Sequence, residues 1–165
     1  MVEIVPAAAP DLDEIRRMYR EYSALVSEAL QAQGFERELA QLPGAYAPPA
    51  GALLIARDGV AAAGCVALRS VEGGTAEMKR MYVREAWRGS GLGRRLAMTI
   101  IEEARGRGYA RLVLDTLPKL APAIALYRDL GFRETGPYLP NPTPGALCFE
   151  LRIQGTGDAS PVTAS

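Results

Sequence analysis

Residues 77–96 read E-M-K-R-M-Y-V-R-E-A-W-R-G-S-G-L-G-R-R-L, and this stretch decides the fold. Met78 to Val83 is a strand-like run without proline. From Leu92 the apolar residues recur as Leu92, Leu96, Ile100 and Ala104, with Ala97 and Ile101 beside them. That spacing is helical, so a strand hands over to a helix within a residue of the glycines. The first N–H groups of a helix have no partner inside it, and the helix dipole adds positive charge at that end. Gly89, Gly91 and Gly93 remove Cβ atoms there, so a phosphate can approach the backbone. Arg88, Arg94 and Arg95 add cationic donors around the same point. A plain connecting turn with solvated arginines would carry the same letters, so the turn alone leaves both readings open.

Spacing excludes two phosphate motifs. A nucleotide-triphosphate loop ends in G-K-[ST], whereas this turn ends Gly93-Arg94-Arg95. A dinucleotide fingerprint G-x-G-x-x-G started at Gly89 would need glycine at Arg94, and started at Gly91 it would need glycine at Leu96. The pattern [RQ]-x-x-G-x-[GA] does fit, as Arg88, Gly91 and Gly93 after a strand ending Met81-Tyr82-Val83. Further on, Ala123-Ile124-Ala125-Leu126-Tyr127-Arg128-Asp129-Leu130-Gly131-Phe132 fits A-x-x-x-Y-x-x-x-G-F. Between the two lies a strand-like Arg111-Leu112-Val113-Leu114-Asp115. In these two signatures, their order and their separation, the chain resembles the GNAT superfamily of acyl-CoA-dependent N-acyltransferases, over roughly residues 2 to 153.

The resemblance implies a mixed α/β fold. Its sheet would have six or seven mostly antiparallel, twisted strands with a splayed central strand, flanked by about four helices. It also implies a single domain over residues 1–153; after Ile153 the polar run Gly155-Thr156-Gly157-Asp158 cannot bury enough surface, so residues 154–165 read as a disordered tail. At 165 residues one core of ordinary size suffices. Lys+Arg and Asp+Glu are both 19, and this balance gives no footprint for nucleic acid or an anionic membrane. No apolar run approaches the ~20 residues of a membrane span, and Met1-Val2-Glu3-Ile4 does not start like a signal peptide. Cys65 and Cys148 lie in apolar strand-like runs and read as reduced core thiols, so a cytoplasmic location is expected.

Histidine is absent from the sequence. A Ser–His–Asp or Cys–His nucleophile system is therefore impossible, as is a zinc site built on imidazole, and two separated cysteines exclude a cysteine cluster. Proton transfer must use carboxylates, tyrosine, lysine, water or backbone.

Taken in order, Val2–Val5 reads as an edge strand stopped by Pro6 and Pro10. Asp11 with Glu14 three residues on gives a capping-box-like helix start, and Leu12, Ile15, Tyr19, Tyr22, Val26 and Ala29 form one helical face. After an interruption at Gln31–Gly34, Phe35–Leu42 reads as a second short helix, followed by a loop with Pro43-Gly44 and Pro48-Pro49. Ala52–Arg57 and Ala63–Val71 form a hairpin at Asp58-Gly59, and Gly73-Gly74 turns into a strand from Thr75 to Val83. Arg133–Tyr138 and Ala146–Ile153 read as the last strands, joined by a loop with prolines at 140, 142 and 144.

Acyl transfer to an amine needs a neutral nitrogen, a stabilised oxyanion and a protonated thiolate. By resemblance, Glu77 is the catalytic base that deprotonates the acceptor amine through water, and Tyr127 the catalytic acid that protonates the departing thiolate. A phenol of pKa ~10 can donate to a thiolate of comparable basicity. The resemblance also implies cofactor binding by Met81, Tyr82 and Val83, whose backbone would hold pantetheine, and by Arg88, Gly89, Ser90, Gly91, Leu92, Gly93 and Arg94 at the pyrophosphate. One departure is Leu120, where many family members carry an asparagine that contacts cofactor or bound water. Candidate substrate-wall residues are Tyr22, Phe35, Tyr46, Arg80, Tyr138 and Asn141; Lys79 or Arg80 would pair with a substrate carboxylate.

The expected activity is metal-free transfer of acetyl from acetyl-CoA to a primary amine of a small molecule, such as an amino acid or another carboxylate-bearing metabolite, directly in a ternary complex. Two alternatives stay open at this point: a peptide N-terminal or lysine acetyltransferase, and a CoA-binding regulatory module without turnover. No nucleic-acid or membrane partner is expected, and homodimers are common in the family.

Overall fold

Two glycine turns set the sheet. Asp58-Gly59 reverses the chain between β2 (Ala52–Asp58) and β3 (Ala61–Ser70), and Gly73-Gly74, both at positive φ, reverses it again into β4 (Thr75–Val83). The computed structural model describes residues 1–31 and 34–153; the side chains of residues 27–31 fall outside that description, and so do the expected place of Ala29 and the expected tail at 154–165. β1 (Val2–Pro6) pairs antiparallel with β2 at one edge. On the far side come β5 (Arg111–Thr116), parallel to β4, then β7 (Leu147–Arg152) and β6 (Arg133–Thr135). Among the described residues the order is β1-β2-β3-β4-β5-β7-β6, a seven-stranded sheet in which β4–β5 is the one parallel pair. Helices α1 (Leu12–Gln31) and α2 (Phe35–Gln41) cover one face, and α3 (Leu92–Gly106) and α4 (Ala121–Asp129) the other. The mixed α/β architecture expected from the sequence is the one found.

β2 shows why both faces need helices. Leu54 and Ala56 point into the core under α3, while Leu53 and Ile55 point into the core under α1, so the strand is apolar on both sides. α3 meets the sheet with Leu92, Leu96, Ala97, Ile100, Ile101 and Ala104, all buried.

What positions the site is a seam. β4 and β5 pair only at Thr75–Glu77 with Arg111–Val113, and past that point they part. On its other side β4 keeps β3, but the register shifts between Cys65 and Ala67, and Arg80 takes φ 58° there. Arg80 is the only non-glycine residue at positive φ among the described residues. An extra residue in one strand bends it and increases its twist, which carries β4 away from β5. Gly64 lies beside the bulge on β3; a Cβ there would meet the Tyr82 carbonyl at 2.6 Å, so only glycine lets the strands approach.

Three local expectations need correction. Asp11 does not cap α1: its carboxylate accepts from the Ala8 N–H at 2.8 Å and pairs with Arg57, closing a 3-10 turn over Ala9–Asp11. Glu14 likewise turns away from the helix end to Arg84 and Arg17. The strand expected to run to Tyr138 stops at Thr135, where Gly136-Pro137 follows and proline has no N–H for the ladder.

Candidate active site

The turn into α3 is open. Gly91 precedes the helix at φ 87° with no side-chain cap, and Gly89 stands at φ 80°. The first helical bond is Arg95 N–H to the Gly91 carbonyl, which leaves the N–H groups of Leu92, Gly93 and Arg94 pointing out of the helix end. Nothing lies within 4 Å of a Cβ built on Gly89 or Gly91; conformation rather than space requires glycine at both. Ser90 Oγ donates to the Trp87 carbonyl. Arg88 lies over the Tyr82 ring at 5.7 Å and donates to the Val83 carbonyl at 2.8 Å, and Arg94 pairs with Asp129 of α4. The Arg84 N–H bonds Ala63 on β3, so strand alternation turns the N–H groups of Val83 and Met81 toward the open side.

In the seam lies a small cavity of about 60 Å³. Lys79, Arg80 and Met81 line it from β4, Leu114, Asp115 and Thr116 from β5, Ala123 and Tyr127 from α4, with Tyr22 from α1. Tyr127 is 6 % exposed and packs against Phe132 and Phe149 at 5.8 and 6.4 Å. Burial holds its hydroxyl well above the usual phenol range, so it is a neutral donor. Leu120 precedes α4 without capping it and forms an apolar wall of this cavity.

A second cavity of about 360 Å³ adjoins the first, and Lys79, Arg80 and Asp115 line both. Its other walls come from α2 (Arg37, Glu38), the Pro43–Tyr46 loop, Arg69 of β3, and the loop bearing Leu139, Asn141 and Thr143. At the junction burial raises the Asp115 carboxyl, opposed by Lys79, and burial lowers the Lys79 ammonium, helped by Arg80. Arg80 is 5 % exposed, lies over Phe35 at 5.7 Å and gives Nε and Nη2 to Glu38 at 3.0 and 2.6 Å. Burial alone would raise the Glu38 carboxyl, but Arg80 and the Tyr46 hydroxyl at 2.7 Å hold it below its ordinary value.

Glu77 lines neither cavity. It is fully buried; its Oε1 accepts from Arg69 Nε at 2.6 Å and its Oε2 from the Tyr138 hydroxyl. Of the expected wall residues, Tyr22, Tyr46, Arg80 and Asn141 do line a cavity. Phe35 instead stacks on Tyr19 at 6.5 Å in the core, and Tyr138 holds Glu77 from outside both cavities. Sequence reading missed Asp115, Glu38, Arg69 and Arg37. Two of these had a signal: a carboxylate closing the apolar run Leu112–Leu114, and the Arg69–Glu77 cross-strand pair, which follows from counting back across Gly73-Gly74.

Comparison with known proteins bears on this geometry. Residues 12–132 match the family model described as the acetyltransferase (GNAT) family. A Schizosaccharomyces pombe protein described as an uncharacterized N-acetyltransferase is 41% identical over 145 residues, covering 87% of this chain and 89% of that protein. The Salmonella typhimurium protein yncA, solved with its cofactor acetyl-CoA, shares the fold at a TM-score of 0.70 with 24% identity, covering 96% of this chain and 99% of that one. A Thermoplasma acidophilum N-acetyltransferase solved with coenzyme A does so at a TM-score of 0.71 and 15% identity, covering 92% and 99%.

Proposed function

Since the chain belongs to the GNAT acetyltransferase family and is an N-acetyltransferase, we propose that it transfers acetyl from acetyl-CoA to a primary amine of a small molecule, directly and without a covalent enzyme intermediate. One observation carries this reading: two cavities of unequal size meet at Lys79, Arg80 and Asp115, and β4, which lines both, runs on through residues 84–91 into the open helix turn. Acetyl-CoA, as co-substrate, supplies the activated acetyl group. The uncapped N–H groups at the start of α3, with Arg88 nearby, hold its pyrophosphate. The N–H groups of Met81 and Val83 hold the pantetheine arm and polarise the thioester carbonyl. Asp115, rather than the enclosed Glu77, takes the proton from the acceptor ammonium at the junction. The amine nitrogen bonds the acetyl carbon, the carbon–sulfur bond breaks, the Tyr127 hydroxyl gives its proton to sulfur, and the second proton released by the nitrogen restores the phenol. The Pro43–Tyr46 and 139–143 loops wall the larger cavity, which favours a confined acceptor over an extended peptide.

The test is free-thiol release from acetyl-CoA against a panel of amines, run beside calorimetric binding of acetyl-CoA. Tyr127→Phe should lose about a hundredfold or more in turnover while binding persists. Absence of acetyl-CoA binding, or full turnover in Tyr127→Phe, would overturn the reading.

A further inference from the structure

The wall of the larger cavity carries four cations, Arg37, Arg69, Lys79 and Arg80, against two carboxylates, Glu38 and Asp115. They are not equivalent. Arg80 is committed to Glu38 through two nitrogens, and Lys79 lies with Asp115 at the junction of the cavities. Arg69 is engaged from one side only: its Nε donates to Glu77, and among the described residues its two Nη groups make no hydrogen bond. Its side chain is 31% exposed, and it faces the cavity.

Glu77 cannot follow the guanidinium if it moves. It is fully buried, and the Tyr138 hydroxyl occupies its second oxygen. The chain Tyr138–Glu77–Arg69 therefore fixes a planar fork whose outer edge remains available. Such a fork binds a carboxylate through two parallel charge-assisted bonds, and prior fixation lowers the entropy lost on binding. The Arg37 guanidinium and the Asn141 amide line the same cavity, and neither has a hydrogen-bond partner among the described residues.

We infer that Arg69, held by Glu77 and Tyr138 and flanked by Arg37 and Asn141, is the receptor for a carboxylate on the acceptor. The inference rests on the acetyl-transfer reading and narrows it to amino acids and related amino carboxylates. Spacing supports this. Arg69 stands opposite Glu77, and Lys79 follows two residues along β4, roughly 7 Å further. An acceptor that presents its nitrogen at the junction and its carboxylate to Arg69 thus has the two groups a few bonds apart. Glu77 becomes a positioning residue that acts through Arg69.

The experiment compares matched pairs in the thiol-release assay: glycine with glycinamide, L-glutamate with L-glutamate α-amide, 4-aminobutyrate with butylamine. Binding of N-acetylglycine and N-acetyl-L-glutamate to the CoA-loaded protein is measured by calorimetry alongside. At least one carboxylate member or its acetylated form should engage, with the partner lacking the carboxylate weaker by about ten- to a hundredfold. Arg69→Lys keeps the charge beside Glu77 but removes the fork; it should raise KM by a similar factor and leave kcat and acetyl-CoA binding in place. Glu77→Gln should likewise act on KM, whereas a base at this position would act on kcat. Equal use of both members of a pair, an unchanged KM in Arg69→Lys, or no binding of either acetylated probe would overturn the inference. Loss of acetyl-CoA binding in the parent protein would instead remove the reading beneath it.

Discussion

The two faces of the sheet are held by different physics. Under α3 and α4 the contact is apolar: Leu92, Leu96, Ala97, Ile100 and Ala104 meet Leu54, Val66, Leu68 and Leu114. The polar contacts of α3 to other parts of the fold lie at its rim, as with Arg95 on the Val2 carbonyl and Arg105 on the Ile153 carbonyl. Under α1 and α2 an apolar centre built on Ile15, Met18 and Tyr19 is tied down by long-range pairs. Asp11 holds Arg57, Glu14 and Glu21 hold Arg84, and Glu38 holds Arg80. Apolar packing sets position without regard to pH, whereas charge pairs set direction and depend on protonation. The half that carries the open helix turn is therefore stiff by packing, and the half that walls the larger cavity is shaped by charge.

The sharpest break in this contrast is Leu96→Ala, which removes a fully buried side chain under α3. Denaturant unfolding should show a loss of about 2–5 kcal/mol, the same at pH 4 as at pH 7. Glu38→Gln probes the other half and should cost about 1–3 kcal/mol, because the buried Arg80 loses the carboxylate that accepts from its Nε and Nη2. Arg80 holds the folded Glu38 below its ordinary value, so its contribution is present above that value, 4.5, and fades as the pH falls below it. The difference between wild type and variant should accordingly shrink toward zero in acid; a constant difference would show that charge is not what holds α2. The smallest effect is expected for Tyr19→Phe. Tyr19 is fully buried, and its hydroxyl has no partner among the described residues. Removing it should leave stability unchanged or raise it by up to about 1 kcal/mol; a clear loss would reveal a bond that this side of the core depends on.

The same division decides what the sequence made legible. The strand, turn and helix over residues 77–106 are local, and their periodicity and glycine spacing could be counted. The two signatures placed Tyr127 beside the seam in the same way. The larger cavity was legible only in pieces, since Arg80 meets Glu38 across 42 residues and Tyr138 meets Glu77 across 61. No period encodes such pairs; they follow from tertiary closure. Glu77 is an example: its place on the strand could be counted, but the neighbours that enclose it, Arg69 and Tyr138, depend on a register and a loop that have to be built first.

The short ladder between β4 and β5 also has a consequence for how long the molecule lasts. Three residues on each strand join two larger pieces of sheet, and beyond them the backbone of β4 faces an opening rather than a neighbour. Whatever fills that opening is bound by the folded chain alone. On the proposed reading, a ligand at a hundred times its Kd would add about 2.7 kcal/mol against unfolding. The abundance of this protein would then track the acetyl-CoA supply around it, its turnover by proteases slowing when the seam is filled and quickening when it empties.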